Sequence, residues 1–237
     1  MRSGTMVDTL TLAIFGAAGK TGKQAVRQAV SRGHTVRAVE KSWPDTDDLP
    51  ERVDRRTANV IEDDLAPAID GCDAVISCIG LPLTAGTALS PPPLYTESTK
   101  RYLDAMERCG VSRIVVISAS FVVTRDRGPM AFRAAATVAL EPIFTQMGEM
   151  ERLLRASAVD WTAVRPGWLM EGDATGDATV TPEVIAPDLI RTRHGDLAAF
   201  MLDCVEAGDW IHRTPAIGRK EAEEAESAAR LLREIAL

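Results

Sequence analysis

Apolar strand-like runs alternate with amphipathic helix-like stretches from end to end of the chain, which predicts an α/β fold: a doubly wound parallel sheet with a small C-terminal annex. Three observations carry this expectation. Runs such as Ala74-Val75-Ile76-Ser77-Cys78-Ile79 are apolar without alternation, as strands covered on both faces must be. The segments between them carry apolar residues at the helical period instead. The first run, residues 10–15, also leads straight into Gly16-Ala17-Ala18-Gly19-Lys20-Thr21-Gly22, which opens a helix-like stretch reaching Arg32.

The elements follow in order. A second strand, Thr35-Val36-Arg37-Ala38-Val39, ends in the acid Glu40, and the polar, Pro-containing residues 42–54 are a surface loop. A third strand is expected within residues 56–61, then a short helix over 65–69 closed by Gly71. A fourth strand covers residues 73–80. The loop after it, residues 81–93, lies at the carboxyl end of a strand, the ligand-binding edge of open α/β sheets. A helix over residues 95–109 stops at Gly110, and Arg113-Ile114-Val115-Val116-Ile117 is a fifth strand running into Ser118-Ala119-Ser120. Residues 121–142 show no strand period and are expected to be a substrate-side loop, followed by a helix over 144–157. Trp161-Thr162-Ala163-Val164 is a strand that Arg165-Pro166-Gly167 breaks, and residues 169–189 form the annex. A helix over 196–205, a short strand at Ala216-Ile217 and an amphipathic end with Ala225, Ala228, Leu232 and Ile235 on one stripe complete the chain.

Composition narrows the function classes. A length of 237 residues suits one domain, 1–237, with a large core, and residues 1–8 read as a loose tail. The net charge of −7, with no basic tract interleaved with aromatics, argues against nucleic-acid and membrane partners and for a small-molecule substrate. No apolar run approaches the eighteen or so residues of a membrane span. Cys72, Cys78, Cys109 and Cys204 form no metal-ligand spacing and read as reduced cysteines of a cytoplasmic protein, monomer or homodimer. The three histidines have no partner at ligand spacing, so no metal is expected, and His34 reads as a surface residue.

The glycine turn carries the chemistry. A strand, a glycine turn and a helix N-terminus let the backbone approach a pyrophosphate and aim unpaired N–H groups at it. A triphosphate-binding loop would need a glycine at position 14, which is Ile14. The remaining alternative is a turn that only packs a helix on a sheet. In the dinucleotide reading, Gly16, Ala18, Gly19 and Gly22 line the pyrophosphate turn, with Lys20 and Thr21 at its rim. Glu40 would accept the adenosine-ribose hydroxyls and favour NAD, whereas Lys41 beside it would favour a 2′-phosphate, so NAD versus NADP stays open. Ile79, Gly80 and Leu81 are expected to pass the cofactor's riboses, with Pro166 and Gly167 near the nicotinamide.

These motifs together resemble the NmrA-like, NAD(P)-binding branch of the atypical short-chain dehydrogenases, on a Rossmann-type sheet. The marks are the glycine loop, Gly71-Cys72-Asp73-Ala74-Val75-Ile76, Val115-Val116-Ile117-Ser118, the stretch from Met150 to Ser157, Asp160-Trp161-Thr162-Ala163-Val164-Arg165-Pro166-Gly167, and Asp196-Leu197-Ala198. The resemblance is nearest to the biliverdin-IXβ/flavin reductase group, where Ser118 or Ser120 would match an active-site serine. It implies an NAD(P)H-dependent reductase of a conjugated or aromatic molecule such as a flavin, quinone or enone, with Phe121 and Trp168 walling the substrate or packing in the core. Two departures stand out. That group's histidine falls on Gly167, and the Tyr-x-x-x-Lys pair of most relatives is missing, since no tyrosine follows Tyr102. A general acid would have to come from elsewhere, His194 or Asp126 being the options. A dinucleotide-binding redox sensor and a nonredox isomerase or cyclase are the alternative readings.

Overall fold

The computed structural model describes residues 9–45, 48–82, 84, 86–87 and 90–235; the expected tail at 1–8 and part of the 81–93 loop lie outside them. Strands β1 (Thr11–Phe15), β2 (Thr35–Glu40), β3 (Asp54–Thr57), β4 (Ala74–Ser77), β5 (Arg113–Ile117), β6 (Asp160–Pro166), β8 (Thr179–Thr181) and β10 (Ala216–Gly218) form one sheet. Its order is β3-β2-β1-β4-β5-β6-β10-β8. Every pairing is parallel except β10 with β8. A separate parallel pair joins β7 (Trp168–Met170) to β9 (Arg191–Arg193), within the expected annex.

Alternate strand residues feed two apolar layers. Leu12, Ile14, Val36, Ala38 and Ile76 pack against helices α1 (Lys20–Ser31) and α5 (His194–Glu206) through Ala25, Val26, Leu197 and Met201. Ala13, Phe15, Val75, Ile114 and Val116 face the other side. There they meet the short helix α2 (Ala66–Ile69), α3 (Leu94–Cys109) and α4 (Met130–Arg155). Strand order reverses between β1, which pairs with β2, and β4, so the chain leaves the sheet in opposite directions there and opens a crevice at the carboxyl edge.

Five expectations need correction. Residues 121–142 are not one loop. A 3₁₀ turn at Ser120–Val122 and a connection to Pro129 lead into α4, a single helix of 26 residues with Pro142 inside it. Phe132, Ala136, Leu140 and Phe144 repeat at the helical period and are all buried, and that continuous apolar stripe outweighs the backbone bond lost at the proline. The third strand starts earlier than residue 56, because Asp54 pairs in register with Arg37 and accepts from its Nε at 3.3 Å, while Asn59 Oδ1 turns the chain by accepting from the Ile61 N–H. Strand β6 runs on through Arg165 and Pro166, whose partners are Ala216 and Ile217 of β10.

The C-terminal stripe is also shifted. Ser227, in extended conformation, splits the amphipathic segment into α6 (Glu223–Glu226) and α7 (Ala228–Ile235), and Leu231 rather than Leu232 is the fully buried contact. The Ile235 side chain lies outside the described residues. Helix α7 packs on α4, and Arg191, fully buried, donates to Glu234 Oε2 at 2.7 Å and to the Ala225 carbonyl at 2.8 Å. His34 is buried as well. Its Nδ1 accepts from the Leu10 N–H at 3.2 Å, so Nε2 carries the proton and donates to Glu206 at 2.9 Å.

Candidate active site

The glycine turn sits at the switch between β1 and β4. Gly16 has φ +73°, and a Cβ there would lie 2.9 Å from the Cys78 carbonyl, so only glycine lets the turn press against the end of β4. A Cβ on Gly22 would fall 2.0 Å from the Gly16 carbonyl oxygen; its absence lets α1 start directly under the turn. Gly19 differs: its Cβ position meets only the Gly16 oxygen, at 3.2 Å, and the residue is exposed.

The N–H groups show where an anion fits. Gly16 and Ala17 donate to Val39, and Gly19 donates to Gly16. The first helical bond comes from Lys23 to Gly19 at 2.9 Å, which leaves the donors of Lys20, Thr21 and Gly22 ahead of it with no side-chain cap and no acid in the first turn. This cradle, open only at Gly19, fits a pyrophosphate. Glu40 closes the adjoining corner. Its Oε2 accepts from the Ala18 N–H at 3.0 Å and its Oε1 from the Lys41 N–H at 2.9 Å, with Lys41 itself exposed. Across the crevice, Ile79 and Leu81 are half-buried and Gly80 exposed, with the Leu81 N–H donating to Tyr95 Oη at 3.4 Å. Burial pushes the Tyr95 hydroxyl up to about 12, so it stays protonated.

The annex grips the same helix start. His194 Nδ1 lies 2.7 Å from Thr21 Oγ1, Gln28 donates to the Gly195 carbonyl, and Lys20 meets Glu171 at 2.8 Å. Asp196 accepts from the Thr175 backbone at 2.6 Å, tying the annex loop to α5. Burial first, and the neighbouring Lys20 charge second, lower the His194 pKa to about 4. The ring is neutral at pH 7, and a proton-donating imidazolium is not available there.

The serines turn inward. Ser118 Oγ donates to Glu151 Oε1 at 2.8 Å, and Ser120 Oγ donates to the Arg165 carbonyl at 2.9 Å; both residues are buried. Glu151 also accepts from Arg165 Nε at 2.8 Å and Nη2 at 2.6 Å, and from Arg155 at 3.0 Å. This buried carboxylate was not anticipated from the sequence. The signal was present: Met147, Met150, Glu151 and Leu154 share the buried face of α4, so one member of an apolar stripe is charged.

Pro166 and Gly167 are buried at the end of β6, and the Gly167 N–H donates to Thr192 Oγ1 at 2.9 Å. A Cβ on Gly167 would lie 2.4 Å from the Ile190 carbonyl oxygen. Beside it Ser120, Phe121, Thr124, Arg127, Ile185 and Ile190 close together and leave no room for a water molecule. Phe121 stacks on Phe144 at 5.5 Å, and Trp168 meets Phe132 edge-on at 5.1 Å, so these rings belong to the core packing. Asp126 is exposed and pairs with Arg127. Among the described residues, no cluster of three metal-ligating side chains occurs, and no helix is long and apolar enough to cross a membrane.

A glycine turn at the switch point of a parallel sheet, joined to uncapped helix donors, defines a dinucleotide-binding α/β protein of the Rossmann class. The chain belongs to the NAD(P)H-binding family, which matches residues 16–207. It is 29% identical over 184 residues to an uncharacterized chloroplastic protein of Arabidopsis thaliana, a stretch covering 75% of this chain and 65% of that relative. Solved structures share the fold. A Veillonella parvula short-chain dehydrogenase/reductase in complex with NADP has a TM-score of 0.70 at 16% identity, over 92% of this chain and 99% of that one. A candidate NADH-flavin reductase from Streptococcus pneumoniae has a TM-score of 0.69 at 23% identity, over 89% of this chain and all of the other.

Proposed function

We propose that the protein is an NAD(P)H-dependent reductase of a conjugated or aromatic small molecule, such as a flavin, quinone or enone. The observation that carries this is that the side chains at the carboxyl ends of β5 and β6 are committed elsewhere: Ser118 Oγ donates to Glu151, Ser120 Oγ donates to the Arg165 carbonyl, and the His194 ring across from them is neutral at pH 7, so none of the three supplies a general acid. Bound NAD(P)H supplies a hydride. The chain's part is then to seat the pyrophosphate on the donors of Lys20, Thr21 and Gly22, to bind the adenosine ribose at Glu40, and to close the annex side of the groove with Ile185, Leu189 and Ile190. Ile79, Gly80 and Leu81 line the opposite rim of this groove, and Pro166, Gly167 and the two serines floor its far end. An acceptor ring that takes its proton from water suits such a site better than a simple ketone does. The resemblance to the biliverdin-IXβ/flavin reductase group and the flavin reductase named among the structural neighbours support the same reading.

The test is titration of the purified chain with NADH and NADPH by fluorescence, then oxidation of the tighter binder with FMN, quinones and enones. Turnover on at least one acceptor is expected; failure to bind either cofactor overturns the proposal. One feature favours a second reading, a dinucleotide sensor of the NmrA-like kind: Ile185 and Ile190 fill the space beside the end of β6 so closely that Gly128, Gly167 and Gly218 have no room for a side chain. Binding without turnover on any acceptor supports that reading.

A further inference from the structure

We propose that the outward face of helix α4 is an interface on which two copies of this chain pair antiparallel about a two-fold axis. The proposal stands apart from the dinucleotide reading. A long helix lying on a domain normally turns charged side chains to water. Helix α4 does not: from Ala131 to Leu140 its only charge is Arg133, although Phe132, Ala136 and Leu140 already supply a buried inner face. Its outer face carries Met130, Ala131, Ala134, Val138 and Pro142, all exposed with α7 docked on the helix. Val138 is 84% exposed and Met130 78%, the highest values for large apolar residues among those described. Such a stripe marks a contact surface.

Spacing and charge choose a second copy as the occupant. Residues 130, 134, 138 and 142 recur every four positions and form one ridge about 18 Å long. The ridge is self-complementary, as a two-fold contact requires. An antiparallel copy centred level with Ala136 sets Met130 against Pro142 of the second copy and Val138 against its Ala134, and symmetry repeats both pairs. Bulky side chains then face small ones, and the alanines let the two axes approach closely. Charge sets the direction. Arg133 lies on one flank of the ridge; among the described residues its guanidinium meets no carboxylate and donates to the Asp126 carbonyl at 3.2 Å. Glu141 lies on the same flank and is half exposed. Its two oxygens accept from Arg125, and each keeps a lone pair for a second cation. In the antiparallel pair, Glu141 of the second copy stands about 3 Å along the axis from the level of Arg133, within reach of the guanidinium, and the reciprocal contact forms at the other end. A parallel pair offers Arg133 no carboxylate at its own level.

Sedimentation velocity of the full chain from about 1 μM to about 0.5 mM tests this. A contact of this length belongs at the small end of specific interfaces, so a dimer half-dissociated at about 10–100 μM is expected. Val138→Glu sets a carboxylate from each copy into the apolar ridge; that variant should stay monomeric throughout and keep the melting temperature of the unaltered chain. Arg133→Glu and Glu141→Arg should each weaken association about tenfold. An equal mixture of the two should recover it, because only the mixed pair restores both charge contacts. An unaltered chain that is monomeric at every concentration overturns the proposal. So does a dimer that Val138→Glu leaves intact, which puts the contact elsewhere, or a mixture no tighter than its parts. If Val138→Glu does not fold, the two charge variants and their mixture decide.

Discussion

The Thr21 hydroxyl and the His194 ring lie 173 residues apart in the chain and 2.7 Å apart in space. Thr21 belongs to the first turn of the helix that fronts the glycine loop; His194 begins the helix that carries the annex. The contact ties the mouth of the groove to its far wall. The hydroxyl can donate to or accept from Nδ1, and burial, with a His194 pKa of about 4, keeps the ring neutral across the physiological range.

This makes stability pH-dependent in a defined direction. The ring binds its proton in the unfolded chain near pH 6.5, but in the folded one only near pH 4. Between these values the unfolded state holds more protons, so stability is fully present above pH 6.5 and falls as pH drops toward 4. The slope from this group is at most about 1.4 kcal/mol per pH unit. Urea unfolding from pH 7 to 4.5 should show it, and His194→Gln should flatten that part of the profile. An unchanged slope would exclude the ring as its source.

The loop glycines separate binding from folding. Gly19→Trp places a side chain in the open part of the cradle and should abolish cofactor binding while leaving the melting temperature close to that of the unaltered chain. Gly22→Ala drives a methyl to 2.0 Å from the Gly16 oxygen and should destabilise the fold by roughly 2–4 kcal/mol. Thermal melts beside a cofactor titration distinguish the two. Similar melting losses in both variants would contradict the geometry.

The buried carboxylate predicts an asymmetric response. Glu151→Leu leaves the Arg165 guanidinium buried with its counter-charge gone and should cost about 3–5 kcal/mol. Ser118→Ala removes one hydrogen bond and should cost about 1 kcal/mol. The double variant Glu151→Leu with Arg165→Met should recover much of the first loss. Chemical denaturation of these variants together with Arg165→Met alone tests this, and strict additivity of the Glu151 and Arg165 changes would show that the groups are not coupled.

Pro142 gives a prediction with the opposite sign. It sits exposed in the interior of α4, where it lacks the N–H that would bond to the preceding turn. Pro142→Ala restores that donor and should stabilise the chain by about 1–3 kcal/mol, measured by urea unfolding. A loss of stability would mean that the helix is shaped around the ring.

How much of this was legible beforehand follows from the range of each signal. Strand β5, Arg113–Ile117, was read with its observed bounds, because five residues buried on both faces announce themselves locally. The helix over residues 130–142 is masked in the sequence because Pro142 and the arginines dominate locally, while the decisive pattern, Phe132 to Ala136 to Leu140 to Phe144, extends across them. His34 looked like a turn residue since its burial depends on Glu206, far along the chain. The glycine loop is legible as a phosphate cradle, but the contact of Gly16 with the end of β4 and of Gly22 with the Gly16 carbonyl exists only in the folded chain. Glu151 illustrates the remainder: a charge on an apolar stripe is visible in sequence, and its partners are not.

The close approach of Ile190 to Gly167 restricts the routes open to descent with modification. Any side chain at position 167 meets the Ile190 carbonyl oxygen at a 2.4 Å Cβ distance, so no single substitution can install an imidazole there. Strand β9 would first have to withdraw from the Gly167 edge. Placing a histidine at position 167 therefore requires at least two changes, a shift of the Ile190 backbone and the new side chain.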